Sequence, residues 1–321
     1  MGKLLSLCLY PINVESAPNW VMRKAFERHF APFFHYDWFN LAKTKGLKAV
    51  HEEFIQFLKV NRPEYTFMQL QSEAAMDVET IKRMAKFTKI INWTGDVKNE
   101  SGWYKWLVEI GKHIHLTLFT NETDVKILRE HGCRADYLQV GFDDIWYNKK
   151  QPTATGPEIV FCANEYGNFP LSNLRVHAAL ELKKVFGDRF AVYGNGWQKY
   201  GINTRPVKNV EEAQLYNNAK IAISISNLNL ERYHSDRLLR IMACGCMPLS
   251  HYYKGWDKDF KQHVNIVAGE DVFVLISQCK HYLDNHEQRQ IIADNAYINA
   301  HSNHTWDVRC KQLIQLLKTY N

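Results

Sequence analysis

Several common chemistries leave no trace in this sequence. No window is apolar over the length of a membrane span. A Walker phosphate loop, a Gly-x-Gly-x-x-Gly fingerprint and a His-Glu-x-x-His pair are all missing, which removes the nucleotide, dinucleotide and zinc-protease classes that those motifs announce. Seven cysteines form no Cys-x-x-Cys, and an odd number favours reduced thiols and the cytoplasm over a disulfide framework. Cys244 and Cys246 flank a glycine and read as small packing residues, since no neighbouring set completes a zinc site. Fourteen histidines show no metal-ligand spacing, so no metal is expected. One-sided charge is missing too. Residues 1–150 hold 21 Lys and Arg against 18 Asp and Glu, the remainder 19 against 16, so the excess of +6 is spread. A mildly basic surface permits a polyanionic acceptor such as DNA without requiring one. The start, MGKLLSLCLYP, lacks a small-residue cleavage site and reads as a first strand.

What is there is alternation. Apolar strand patterns at Leu4 to Tyr10, Phe33 to Phe39, Tyr65 to Leu70, Lys89 to Trp93, Ile114 to Thr120 and Ala135 to Val140 are separated by helical periods. These lie at Pro18 to His29, Gly46 to Val60, Val78 to Phe87, Trp103 to Lys112 and Asp124 to His131. Such a series predicts a mainly parallel sheet with helices on both faces. The polar run Trp146 to Pro157 reads as a linker. A second series follows, with strands Ile159 to Cys162, Phe190 to Tyr193, Ile221 to Ser226, Met247 to Ser250 and Asn265 to Val267. Its helices are Leu174 to Phe186, Val210 to Asn217 and Ser235 to Ala243, and the chain is helical after Gly269. The expected domains are 1–150, 151–300, and a C-terminal helix at 301–321 that crosses back to the first domain.

The stretch from Lys220 to Tyr253 carries the chemistry. Its first strand ends at Ser226-Asn227, Ser235 is placed to cap a helix, Gly245 to end it, and a second strand follows. In an open α/β sheet, ligands sit outside the carboxyl ends of the strands. Asp236 can accept hydrogen bonds from a sugar diol, and Arg237 offers a guanidinium fork for phosphate beside helix-start amides. Equally, Asp236 can be a mere cap and Arg237 a solvated side chain.

The run from Ala243 to Ser250, ACGCMPLS, resembles the "ACG-x-x-P-L" signature of group 1 nucleotide-sugar glycosyltransferases and their spore-maturation-protein-like, phage-type relatives. Tyr233-His-Ser-Asp-Arg-Leu238 is similar to the α1,3-fucosyltransferase donor motif. The resemblance implies the GT-B fold, α/β with two Rossmann-like domains whose mainly parallel sheets face a central cleft. It also implies a ribose contact at Asp236 and phosphate contacts at Arg237. Group 1 enzymes usually place a glutamate where this chain has Arg240, so that contact is not carried to this position.

Three further loops bear on function. Asn92-Trp-Thr-Gly-Asp96 follows a strand; Asp96 can act as general base or orient an acceptor, or can simply cap the next segment. Asn164 and Tyr166 follow the first strand of the second half, and Gly194 and Asn195 follow the next, where family members hold the donor nucleotide. Arg175 then reads as a diphosphate clamp or a solvated side chain. Asp143, in Gly-Phe-Asp, closes a turn, and Asp257-Lys-Asp259 lacks the apolar strand that a metal-binding Asp-x-Asp requires.

The expected protein is a cytoplasmic, metal-independent hexosyltransferase. Its donor site comprises Asn164, Tyr166, Arg175, Gly194, Asn195, Asn227, Tyr233, Ser235, Asp236, Arg237 and Arg240, with Asp96 catalytic. It takes a nucleotide-sugar co-substrate, UDP-linked with UDP-glucose the default, and no further cofactor. The acceptor is a hydroxyl, with a hydroxymethylated pyrimidine in bacteriophage duplex DNA as one candidate. A fucosyltransferase-like GDP-sugar enzyme, a nucleotide-sugar epimerase and a non-catalytic DNA- or sugar-binding module are the alternatives.

Overall fold

The computed structural model describes residues 4–7, 19–71, 73–95 and 101–321. The chain divides into two compact units, Met1–Val140 with Trp306–Asn321, and Gly141–Thr305. The first contains β1 (Leu4–Leu7), α1 (Trp20–His29), β2 (Phe33–His35), α2 (Trp38–Lys45), α3 (Leu47–Asn61), β3 (Tyr65–Met68), α4 (Val78–Ala85), β4 (Lys89–Thr94), α5 (Ser101–Gly111), β5 (Leu116–Phe119), α6 (Glu122–Glu130) and β6 (Ala135–Tyr137). The second contains β7 (Ile159–Cys162), α7 (Ser172–Phe186), β8 (Phe190–Tyr193), α8 (Val210–Asn218), β9 (Ile221–Ser224), α9 (Asp236–Ala243), β10 (Met247–His251), β11 (Val267–Gly269), α10 (Val272–Asp284) and α11 (His286–Asn303). The last helix, α12 (Trp306–Thr319), belongs to the first unit.

Each unit has one parallel sheet, ordered β2-β1-β3-β4-β5-β6 and β11-β10-β9-β7-β8. Strands such as β3, β5, β7 and β9 are buried at every position, as parallel strands covered on both faces must be. In the first unit, one sheet face packs on Val50, Phe54, Leu58, Ile81, Leu107 and Leu128. The other packs on Val21, Phe26, Trp306, Cys310 and Leu313, from α1 and α12. Large side chains of this kind each contribute roughly 1.5–3 kcal/mol on burial. The second core joins Ile159, Phe161 and Ile223 to Ala178, Leu275 and Ile292.

Three expectations need correction. The aromatic run Phe33 to Phe39 does not continue as a strand: Asp37 accepts a hydrogen bond from the Asn40 amide at 3.3 Å and caps α2. Trp146 to Pro157 is no linker. Tyr147 is fully buried, and the Lys150 and Thr153 amides donate to the side chains of Asn217 (2.6 Å) and Asn218 (2.8 Å), so the segment is part of the second unit. The chain passes between units at 140–141 and 305–306, not at 150 and 300. Of the first expected strand, positions 8–10 lie outside the described residues.

Candidate active site

In the second sheet the chain leaves β7 toward β8 on one side and returns to β9 on the other, so the order reverses between β7 and β9. Loops that leave a sheet in opposite directions open a crevice at that point, and ligands of open α/β sheets bind there. The residues beyond these two strand ends are Ala163-Asn164-Glu165-Tyr166 and Ile225-Ser226-Asn227.

Helix α9 reaches the crevice with its amino end. Leu238, Leu239, Ile241 and Met242 are its buried stripe, leaving Asp236, Arg237 and Arg240 on the rest of its surface. Its far end is fixed by Gly245 at φ +67: the Gly245 amide donates to the Met242 carbonyl (2.9 Å) and the Cys246 amide to that of Ile241 (3.3 Å). This is a Schellman closure, and it is why a glycine stands between the two cysteines. Ser235 occupies the cap position without capping; its hydroxyl accepts from Arg237 Nη1 at 3.4 Å.

Two arginines converge beneath the crevice. Arg237 donates from Nε to the Cys162 carbonyl (2.5 Å) and from Nη1 to that of Ile225 (3.2 Å), with its guanidinium 5.8 Å from the centre of the Phe161 ring. It is therefore not simply solvated. Among the described residues its Nη2 has no partner, which leaves two N–H groups for a ligand. Arg175 is neither a surface side chain nor an open clamp. It is fully buried, and donates from Nε to Glu165 (3.3 Å), from Nη1 to the Ile225 carbonyl (2.5 Å) and from Nη2 to the Asn164 carbonyl. Burial, joined by the charge of Arg237, pushes its pKa down to about 10. With every nitrogen engaged, Arg175 braces the strand ends, and of the two arginines only Arg237 keeps N–H groups without a partner among the described residues. Buried Glu165 offsets one of the two positive charges, so the pair retains a net attraction for an anion.

The loops after β7 and β8 are zipped together. The Ala163 and Glu165 amides donate to the carbonyls of Tyr193 (2.7 Å) and Asn195 (2.8 Å). Gly194 and Gly196 permit this approach. The Gly194 amide donates to Arg205 O (2.9 Å) and the Asn195 amide to Asn164 Oδ1 (2.8 Å), so both amides are already partnered. Asn164 Nδ2 reaches the hydroxyl of exposed Tyr166 at 3.2 Å. Among the described residues Asn227 Oδ1 is buried without a hydrogen-bond partner, and Tyr233 is half-buried in the segment before α9.

Arg240 is engaged at both arms. Its Nη2 pairs with Asp236 Oδ2 at 2.5 Å and its Nη1 with Glu212 Oε2 at 3.2 Å. Glu212, Glu165, Tyr147 and Tyr216 are site residues that the sequence reading missed; nothing in their local pattern separates them from surface acids or core aromatics. Asp143 closes a turn through its carbonyl, and Asp259 is paired with Arg232 at 2.7 Å. Asp96 lies outside the described residues. Among the described residues no group of three His, Cys, Asp or Glu is arranged to hold a metal ion, six cysteines are free and buried, and no helix is long and apolar enough to cross a membrane.

His251, at the end of β10, is 2% exposed. Its Nδ1 faces the Ser224 carbonyl at 3.4 Å, which requires the proton there and leaves Nε2 an acceptor without a hydrogen-bond partner among the described residues. Burial, aided by the nearby charges of Arg175 and Arg237, pushes its pKa down to about 4 although the Ser224 contact opposes this. The unfolded chain therefore binds the proton first. Stability is expected to fall as pH drops below about 6.5 and to level off below about 4, a loss on the order of 3 kcal/mol. Urea unfolding at pH 7.5 and 4.5 checks this; His251→Asn should flatten the difference, and an unchanged slope would contradict the assignment.

Residues 174–315, a little under half the chain, match a family model described as "Glycosyl transferase-like". No curated protein matches the sequence. Among solved structures, Alr3699/HepE of Anabaena in complex with UDP and glucose is similar over 99% of this chain and 100% of its own, with a TM-score of 0.69 at 10% identity. Sucrose-phosphate synthase of Thermosynechococcus elongatus gives the same TM-score and identity over 99% and 98%. The pneumococcal O-GlcNAc transferase GtfA, in complex with UDP and GlcNAc, gives 0.58 at 10% identity over 86% and 60%. The chain has the α/β fold of GT-B glycosyltransferases, with two sheets of parallel strands. Its second half carries a glycosyl transferase-like segment that contains Arg175, Asn227, Tyr233, Asp236 and Arg237.

Proposed function

We propose that this protein is a glycosyltransferase that moves a sugar from a nucleotide-diphosphate sugar, UDP-glucose by default, to an acceptor hydroxyl. The observation that carries the reading is the cationic crevice at the reversal of the second sheet, inside the segment that matches the glycosyl transferase-like model. UDP and UDP-glucose in complexes of the Anabaena neighbour support the choice of donor.

In this reading the diphosphate lies over the ends of β7 and β9. Arg237 Nη2 and the amino end of α9, rather than a metal, take up charge as the glycosidic oxygen departs. Asp236 holds the ribose. Asp96 removes the acceptor proton if the anomeric configuration inverts, and orients the acceptor if it is retained. A hydroxymethylated pyrimidine in phage DNA is the acceptor we favour, on the mild basicity of the chain and its phage-type resemblance. The cytoplasm is the compartment suited to such a substrate.

The test is release of nucleoside diphosphate from a panel of UDP- and GDP-sugars. It is run with hydroxymethylcytosine-containing, hydroxymethyluracil-containing and plain duplexes, and with glycans. Acceptor-dependent consumption of UDP-glucose is expected, with Asp96→Asn lowering kcat by about 10²–10⁴. Absence of turnover of every donor would end the enzyme reading. Inactivity on all three duplexes would end the DNA reading, and conversion of the donor into an isomeric nucleotide sugar with no net release of diphosphate would make the protein an epimerase.

A further inference from the structure

Helices α8 and α9 share a polar cluster of which the reaction described above uses only Asp236. Glu212, 5% exposed, accepts from the Tyr147 hydroxyl (2.6 Å) and Arg240 Nη1 (3.2 Å) on Oε2, and from the Tyr216 hydroxyl (2.7 Å) on Oε1. Tyr147 and Tyr216 are themselves buried. The Arg240 guanidinium also lies 5.0 Å from the centre of the Tyr147 ring, and its other arm pairs with Asp236 Oδ2 at 2.5 Å. One end of the cluster is thus a buried, fully partnered carboxylate; the other is a carboxylate whose side chain is 40% exposed. Among the described residues Asp236 Oδ1 has no partner.

A guanidinium held at both ends and against a ring has already lost the freedom that a surface arginine keeps. It fixes the Asp236 carboxylate in turn, so that group meets a ligand preorganised. Glu212, Arg240 and Asp236 together carry one net negative charge. That balance suits hydroxyl donors and opposes phosphate, and a carboxylate with one oxygen open and the other half-used can still accept from two hydroxyls.

On the nucleotide-sugar reading above, we infer that Arg240 and Glu212 are positioning residues that aim Asp236 at the two ribose hydroxyls, making the site selective for ribonucleotides. Glu212 does so from a different helix, through Arg240.

Calorimetric titration with UDP and with 2′,3′-dideoxy-UDP tests this. The native protein should bind UDP about 10–100-fold more tightly, the discrimination of hydrogen bonds to a charged acceptor. In Glu212→Gln and in Arg240→Met the ratio should fall toward one, while affinity for dideoxy-UDP changes by less than about two-fold. Arg240→Lys can hold Asp236 but cannot span to Glu212, and should give an intermediate ratio. A role in structure alone would weaken both ligands alike and leave the ratio standing, which would overturn the inference. Thermal melting establishes that each variant is folded; should Glu212→Gln fail, Arg240→Met decides. Equal binding of the two ligands by the native protein removes the inference and leaves the nucleotide reading intact. Binding of neither ligand removes the inference together with the uridine-nucleotide reading on which it rests.

Discussion

Arg175→Met should lower the stability of the second unit by about 3–5 kcal/mol, the usual effect of removing one member of a buried ion pair. For a body of this size that is a fall in Tm of roughly 10 °C. The reason is local. Arg175 satisfies the carbonyls of Asn164 and Ile225 and the carboxylate of Glu165, all at the point where β7 and β9 part. Methionine fills the space but donates nothing, so the buried Glu165 carboxylate and the Asn164 carbonyl lose their Arg175 donors together, while the Ile225 carbonyl keeps only Arg237. Glu165→Gln made in the same chain should restore part of the loss, because the stranded charge is then gone. Thermal melts of the two single variants and the double variant measure this. A double variant no better than Arg175→Met would mean that Glu165 is not the group left exposed.

Gly196→Ala should cost about 3 kcal/mol or more, and Gly194→Ala a similar amount. An added Cβ would lie 1.9 Å from the Glu165 carbonyl oxygen in the first case and 2.1 Å from that of Ala163 in the second, both backbone atoms that no rotamer change can move. Both positions also have positive φ, +87 and +144. Gly132→Ala separates the two causes: φ there is +77, yet nothing lies within 4 Å of the added carbon. It should cost only the conformational share, roughly 1–2 kcal/mol. Equal losses at Gly132 and Gly196 would show that the backbone angle, not the close loop contact, sets the requirement for glycine.

The sequence pattern made the alternation of strands and helices legible, because parallel strands and the helices that cover them differ in apolar period and length. The α9 stretch was legible in its buried stripe and in its end at Gly245, which follow from local chemistry; it also starts after Ser235, although that hydroxyl does not cap it. What the arginines do was not legible. Arg237 meets Cys162 from 75 residues away and Arg175 meets Ile225 from 50, and both bonds go to backbone carbonyls that carry no residue signature. Tyr147 was hidden by its polar neighbours, which are held by the side-chain amides of Asn217 and Asn218 instead of forming a tether. Trp38 was grouped with a strand because aromatic residues favour strands, whereas one aspartate before it was enough to start a helix.

The first unit is closed by a helix from the other end of the chain. Trp306 meets Trp93 edge-on at 5.7 Å, and Asp307 pairs with Arg28 at 2.5 Å and His29 at 2.8 Å. During synthesis, residues 141–305 therefore leave the ribosome as a complete body while the earlier half still waits for its final layer. The usual order, in which the amino-terminal body finishes first, is reversed. Until α12 emerges, Val21, Phe26, Phe67 and Trp93 form an unfinished apolar face, the kind of surface that chaperones occupy.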